Sequence, residues 1–573
     1  MMKRRSAVFG LLLLTGCPYS DGCEAAPEGS ADPAAATPPA EGEPEAGPSE
    51  PQPDAATGTT DDAGPRPKGP PIEFGAEPTG GAALSTLTCP ALAMPLAGAV
   101  AVVYVDASAT GAEAGTQAAP FKTIGKALEN APRGAAVWVA AGTYKESLTI
   151  PDKDLVVFGG FAPGFASRTD ACATILEPAA PTQPVLAASF DVLSFGIEGV
   201  TIQKGARGII VTGDEAVQAN FTIARSVFKN NGTKTEVGGA AALDGVNARV
   251  FRSVFVDNIA SKGAAIAHGG DTTITIDEND IERNVGDSDH GGALYLSGKL
   301  SKVTRNTLKS NVIGAGIPVG FGGNWGGAII VYKQAPSKPA RGELSYNVFT
   351  DNLAGLGAAV FADEGATVTM SHDLVYRNRA YLENGIVRGV SLYVDGTGEA
   401  GGGSTLIAEY LTVANNVFDE NRVNRAAAAF GGNIYVETFS KATITNSIFW
   451  NNGNDGFYLE ANNEISVSHT IGLSACTSSN SEGLIPASPT ICKIGTGVFL
   501  PGAVEFANEA ADDYHEKSTA GRFSNGTWIN DTVTSQAIDK GDPAAGVGSE
   551  PAPNGGRSNI GAFAQTTEAS KSP

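Results

Sequence analysis

The chain is predicted to fold as an all-β solenoid, a stack of coils each built from short strands. Two alternating words carry this prediction. Gly-Gly-Ala-aliphatic begins at Gly238, Gly291 and Gly326, with weaker copies at Gly263, Gly357, Gly389 and Gly431. Between these lies an apolar residue with asparagine three places on: Phe228–Asn231, Phe255–Asn258, Ile281–Asn284, Leu308–Asn311, Phe349–Asn352, Val375–Asn378 and Phe449–Asn452. Successive glycine words start 25 to 42 residues apart. Repeats of that length, made of short strands and Gly or Asn turns, stack into coils because one repeat cannot bury its apolar face alone.

Each part of the repeat has a physical role. Gly-Gly admits a tight bend with positive φ. The residues after it alternate inward and outward with the period of a strand. The apolar residue of the second word fills the interior, and its asparagine sits at a bend. There it is placed to hydrogen-bond to its own copies in the coils above and below, at about 4.8 Å per coil.

Both ends are distinct. Lys3, Arg4 and Arg5 precede the apolar run Ala7 to Leu14, which is a secretion signal too short to span a bilayer. It closes on Leu14-Thr15-Gly16-Cys17, which resembles the lipobox of bacterial lipoproteins. The resemblance implies cleavage after residue 17's predecessor and lipidation of Cys17. Pro18 follows where inner-membrane retention would favour Asp, so the expected location is an outer-membrane lipoprotein of the cell envelope, on its periplasmic face or at the cell surface. Residues 18–81 are rich in Pro, Ala, Glu, Gly and Thr and cannot bury enough surface to offset their entropy. They form a tether of about 45 Å as a flexible coil. The folded body is expected over 82–510, with a distinct C-terminal segment or cap over 511–573.

The formal net charge of −22 argues against nucleic acid and against adhesion to anionic lipid. It suits divalent cations or neutral glycans. Six cysteines in an exported chain point to disulfides. Cys476 and Cys492 flank a Ser/Pro-rich loop and would form a local staple. Cys89 with Cys172 would fasten the N-terminal part, leaving Cys23 alone; the connectivity stays open. The spacings match no zinc pattern.

At the start of the body, Val102-Val103-Tyr104-Val105 reads as a strand. The stretch Pro120 to Leu128 then puts Phe121, Ile124 and Leu128 on one face of a short helix that would cover the first coil. Further on, Pro120-Phe121-Lys122-Thr123-Ile124, Val139-Ala140-Ala141-Gly142-Thr143-Tyr144 and Gly159-Gly160-Phe161 resemble bacterial right-handed parallel β-helix proteins. Asp513-Tyr514-His515, Ala537 to Pro543 and Pro553 to Phe563 look like the C-terminal segment of that group. The resemblance implies a single-stranded right-handed parallel β-helix of the pectate-lyase-like fold with an N-terminal capping helix. This fold hosts lyases, hydrolases, adhesins and inert stalks. The glycine and asparagine words also resemble polymorphic outer-membrane proteins.

Counting each repeat from its first glycine as position one aligns the coils. Positions four (Leu294, Ile329, Val360, Leu392, Ile434) and six (Leu296, Val331, Ala362, Val394, Val436) point inward. Position five points outward and reads Tyr295, Ile330, Phe361, Tyr393 and Tyr435. Two readings stand for this aromatic row. Tyr295, Phe361, Tyr393 and Tyr435 stack against sugar rings, or loops fold over them and make a secondary core. Position seven carries Asp244 and, in three successive coils, Asp363, Asp395 and Glu437. Such carboxylates recruit a calcium ion, act as acid and base on a glycosidic bond, or simply serve the turns that follow. No cofactor is required.

Three longer insertions, at 312–325, 379–388 and 417–430, leave from one turn and should protrude together. They carry Trp325, Arg379, Tyr381, Glu383, Asp419, Glu420, Arg422 and Arg425. Asp287-Ser288-Asp289-His290 is a fragment of a metal loop without the remaining ligands. The expected function is that of a lipid-anchored binding or structural module, directed at polysaccharide. The alternative is a polysaccharide lyase or glycoside hydrolase of the same fold. The oligomeric state stays open.

Overall fold

The computed structural model describes residues 89–573, except 96–98, 152, 191–193, 218, 288–289, 315–323, 336, 381–388, 398, 400, 419–432, 453–456, 460–461, 473–475, 478–490 and 499–503. Cys17 and the tether lie outside the described residues.

From Val102 to Ile494 the chain winds through three long sheets of 14, 12 and 11 strands, with a fourth of six two-residue strands. Strand order within each sheet follows chain order, so every turn of the chain adds one strand to each sheet. Pairing is parallel and in register; for example Leu294, Ile329, Val360, Leu392 and Ile434 are successive partners in the 12-stranded sheet. The architecture is a right-handed parallel β-helix, and the 14-stranded sheet spans about 60 Å along its axis.

The inward positions read from the alignment are the core. Positions four and six of these coils, and the column Phe228, Phe255, Ile281, Leu308, Phe349, Val375, Val413 and Phe449, all belong to one buried cluster. Phe228 and Phe255 stack with centroids 4.8 Å apart.

The asparagine column is a continuous ladder. The side-chain amide of each member donates to the side-chain oxygen of the next through Asn231, Asn258, Asn284, Asn311, Asn352, Asn378, Asn416 and Asn452, at 2.9 to 3.1 Å. The second amide hydrogen reaches a carbonyl of the preceding coil, as from Asn284 to Phe255 at 3.0 Å. The residue before each ladder asparagine has positive φ, from 48° at Asn451 to 57° at Asp351. The ladder thus offsets a strained bend repeated in every coil. Asn416, three residues after Val413, was not among the aligned asparagines. A second, shorter ladder runs through Asn279, Asn306, Asn347 and Asp373 at another corner.

The N-terminal end is closed as the sequence indicates. Helix Ile124–Asn130 buries Ile124, Ala127 and Leu128 in the main core over the first coil. Its first amides, on Ile124 and Gly125, donate to the Glu146 carboxylate at 2.8 and 2.9 Å. Cys89 and Cys172 form a disulfide across 83 residues, tying the segment before the first strand to an early coil.

Residues 504–573 run beside the stack. Val504, Phe506, Tyr514, Ala537 and Ile560 pack on Tyr376, Ala414 and Ile448, outward residues of the 11-stranded sheet. Ala562 N–H donates to Thr412 Oγ1 at 3.0 Å, and Asp542 N–H to Asn446 Oδ1 at 2.7 Å. The segment braces the flank of several coils. No helix among the described residues is long and apolar enough to cross a membrane.

Candidate functional site

The aromatic row of position five is a covered core, which corrects the expectation of a sugar-stacking surface. Tyr295 is 8 % exposed, Phe361 0 %, Tyr393 1 % and Tyr435 2 %. The rings do form a row: Phe361, Tyr393 and Tyr435 stack at 4.7 and 4.9 Å with planes within 7° of parallel. Together with Tyr295, Ala267, Ile330 and Leu356 they make a separate apolar cluster.

Over Tyr295 and Phe361 the repeat itself supplies covering. The first glycine of each described word, from Gly238 to Gly389, has positive φ and turns the strand's approach back across position five. A Cβ on Gly357 would lie 3.0 Å from Tyr393 Cβ and 3.3 Å from Phe361 Cδ2. One on Gly389 would lie 2.7 Å from Tyr393 Cδ2. Glycine is needed there for both φ and clearance. The residue just before that glycine, here called position zero, then lies over the aromatic row. The Lys262 ammonium sits 5.5 Å above the Tyr295 ring, and Trp325 stacks on Phe361 at 5.7 Å. Position zero is itself in parallel register, as Val237 with Lys262 and as His290 with Trp325 and Leu356.

The outermost layer is therefore made by positions zero and seven. They meet around His290, whose ring stands edge-on to Trp325 at 4.6 Å and to Tyr332 at 5.2 Å. Trp325, Tyr332 and His290 are all half-buried. Tyr332 precedes Asp363 in the column of position seven, with which it pairs in register.

Asp363 is buried, with its side chain 3 % exposed. Its Oδ1 accepts the Glu364 N–H at 2.7 Å, and its Oδ2 has no hydrogen-bond partner. His290 Nε2 is 3.9 Å from that Oδ2, too far for a hydrogen bond. Burial, then the charges of Asp395 and Glu364, pushes the Asp363 carboxyl up to about 8. Burial, then the Lys262 ammonium, pushes the His290 imidazole down to about 3. At neutral pH the two groups are an uncharged acid and an uncharged base, so their contact is not an ion pair. Glu364 is also raised, by burial and then by Asp395. Asp363 Oδ2 and His290 Nδ1 are both buried and without a hydrogen-bond partner.

The three acids expected to hold calcium do not converge. Asp395 Oδ1 accepts the following Gly396 N–H at 2.7 Å, as Asp363 does from Glu364. The Glu437 carboxylate accepts the Tyr393 hydroxyl. Among the described residues no three such ligand atoms of this row lie within 4.8 Å of one another. Calcium takes six to eight oxygens, and this donor arrangement does not fit it. Asp363 and Asp395 act as turn residues leaving the strand, while Glu437 satisfies a buried tyrosine. Asp244, in the same column, is raised by partial burial of its carboxyl and then by Glu215.

The remaining candidates lie apart from this cluster or outside the description. Arg379 is exposed on the six-stranded sheet. Tyr381, Glu383, Asp419, Glu420, Arg422 and Arg425 fall outside the described residues, as do the side chains of Cys476 and Cys492. The strands of those cysteines belong to different sheets. His290 and Tyr332 were not singled out as ligand-facing. Aligning position zero, rather than starting each repeat at its glycine, would have placed His290 beside Trp325.

Residues 345–541 match a family described as disaggregatase related, and residues 107–151 match one described as a protein of unknown function, DUF1565. No curated protein matches. Among solved structures, pectate lyase Pel9A is similar at 11 % identity over 81 % of this chain and 96 % of that one, with a TM-score of 0.35. Pectin methylesterase from carrot is similar at 10 % identity over 63 % of this chain and 84 % of that one, with a TM-score of 0.26.

Proposed function

We propose that the protein is a lipid-anchored module of the cell envelope that binds carbohydrate on the rim formed by His290, Trp325, Tyr332 and Asp363. The observation that carries this reading is the pair of half-buried aromatic rings, Trp325 and Tyr332, set edge-on to the His290 imidazole. Aromatic rings supply apolar area for a sugar face. The signal and Leu14-Thr15-Gly16-Cys17 support anchoring through Cys17, and the long tether suits presentation away from a membrane. The test is retention of the full chain on a set of immobilised polysaccharides, repeated with Trp325→Ala. Retention that Trp325→Ala leaves unchanged would remove the rim as the site.

A second reading is glycoside hydrolysis, favoured by one observation. Asp363 holds its proton at neutral pH and has Asp395 in the next coil, about 5 Å away along the stack. Release of reducing sugar, abolished by both Asp363→Asn and Asp395→Ala, would replace the binding reading with this one.

A further inference from the structure

Residues 504–573 meet the coils along a seam that has an acid sealed into it. Val504, Phe506, Tyr514, Ala537 and Ile560 supply the apolar part, against Tyr376, Ala414 and Ile448 of the coils. Three amides of the brace cross the seam. Asp542 N–H donates to Asn446 Oδ1 at 2.7 Å, Gly561 N–H to the Asn446 carbonyl at 2.9 Å, and Ala562 N–H to Thr412 Oγ1 at 3.0 Å. Gly561 is pressed between the two sides. A Cβ there would lie 2.9 Å from Glu516 Oε1, 2.9 Å from Thr412 Oγ1 and 2.7 Å from Ile448 Cδ1. The Glu516 carboxyl therefore reaches the coil face, where it is 0 % exposed and neither oxygen has a hydrogen-bond partner.

A buried carboxylate without a donor is costly, so this group holds its proton. Burial, against its own backbone amide and the His515 charge, pushes it up to about 8, and the charges of Glu550 and Asp513 add to the rise. The coil residues at that point, Thr412 and Ile448, carry no charge. Two neighbours in the brace titrate in the same sense. Glu550 has one oxygen, Oε2, without a partner, and burial raises it to about 7 against the Gln565 and Asn559 amides. His515 loses to burial but gains more from Asp513, to which Nδ1 donates at 2.7 Å, and from Glu568, and stands at about 9. Closing the seam thus takes up protons and weakens as pH rises, from 4.5 to about 8 through Glu516 and from 6.5 to about 9 through His515.

We infer that the C-terminal brace is a proton-held latch: Glu516 must keep its proton for residues 504–573 to lie closed on the coils, and its ionisation loosens them while the coils stay folded. Opening uncovers the apolar outward face of Tyr376, Ala414 and Ile448. The rim at His290 takes no part in this, so the latch stands or falls apart from the carbohydrate reading.

Hydrogen exchange on the full chain, corrected for the intrinsic pH dependence of each amide, reads the seam at Asp542, Gly561 and Ala562 and the coils at Asn258, Asn284 and Asn311. Expected is seam protection that falls about tenfold or more between pH 5.5 and pH 9, with coil protection unchanged. Glu516→Gln, which cannot ionise, should keep most of that protection at pH 9. A wild-type seam as well protected at pH 9 as at pH 5.5 would overturn the latch, and so would equal loss from seam and coils together. A Glu516→Gln variant that is closed at pH 5.5 and opens at pH 9 as wild type does would overturn the role of Glu516. Should that variant be open at both, the wild-type comparison decides.

Discussion

Asp373 occupies an asparagine's place in the second ladder, and replacing it with asparagine should stabilise the protein in a pH-dependent way. In Asn279, Asn306 and Asn347 the side-chain oxygen accepts from the coil below, while the amide donates to carbonyls of Val250, Ile276 and Val303 at 3.0, 2.9 and 2.8 Å. Asp373 keeps the first half of this pattern: its Oδ1 accepts from Asn347 N and Nδ2 at 2.7 and 2.9 Å. Its Oδ2 has no partner, and by the pattern of Asn347 with Val303 an amide in its place would donate to the carbonyl of Leu344, the register partner of Val303. An ionised carboxyl would leave that buried oxygen charged and unpartnered. Burial accordingly raises this fully buried group from 3.8 to about 7. The folded state then binds a proton that the unfolded state has lost, so stability falls as pH rises from about 4 to about 7 and stays reduced above that. Three units correspond to about 4 kcal/mol as a ceiling, and relaxation reduces this to roughly 2–4 kcal/mol. Asp373→Asn restores a donor that does not titrate. Guanidinium unfolding of wild type and variant at pH 4.5 and pH 8.5 reads the difference: little at the lower pH, a clear gain at the higher. A variant no more stable than wild type at pH 8.5 would refute the ladder geometry.

Two further outcomes follow from the coil. Phe361→Ala should cost about 3–5 kcal/mol, because it empties a fully buried site between Trp325 and Tyr393; near-neutral unfolding would mean the row is open after all. Asn311→Ala removes the acceptor for Asn284 N and Nδ2 and the donor to Asn352, leaving buried groups unpaired in adjacent coils, at about 2–4 kcal/mol. Amide exchange should accelerate at residue 284 and its neighbours first, and uniform exchange across the stack would contradict a local ladder.

The stack was legible because its two words mark corners where backbone geometry leaves little choice. Phe-x-x-Asn gives both the interior residue and the ladder, and seven of the eight ladder asparagines were found this way. Period-two alternation also placed Leu294 and Leu296 inside and Tyr295 on the other face of the strand, as observed. What alternation cannot report is whether the outer face of a sheet meets water. That depends on the path of the chain after it leaves the strand, and here the Gly357 and Gly389 turns lay the next layer across the rings. Asp373 escaped notice for a different reason. Its ladder mixes Ser, Asn, Asp and Leu at equivalent corners, so no repeated letter marks it.

The same distinction identifies where function can reside on such a stack. A position that packing demands repeats its chemistry from coil to coil, as asparagine does in the ladder and as aromatic rings do at Phe361, Tyr393 and Tyr435. Position zero does not: in register it reads Val237, Lys262, His290, Trp325 and Leu356. One backbone site with an aliphatic, a cation, an imidazole and an indole in turn is not set by the coil, since each of these covers the underlying ring adequately. Position seven varies over the same coils, from Ser297 through Tyr332 to Asp363, before it stays acidic at Asp395 and Glu437. The two columns meet at His290, which contacts Trp325 and Tyr332 beside the covered core. A site assembled at His290, Trp325, Tyr332 and Asp363 therefore draws its precision from the repeat and its specificity from where the repeat is broken.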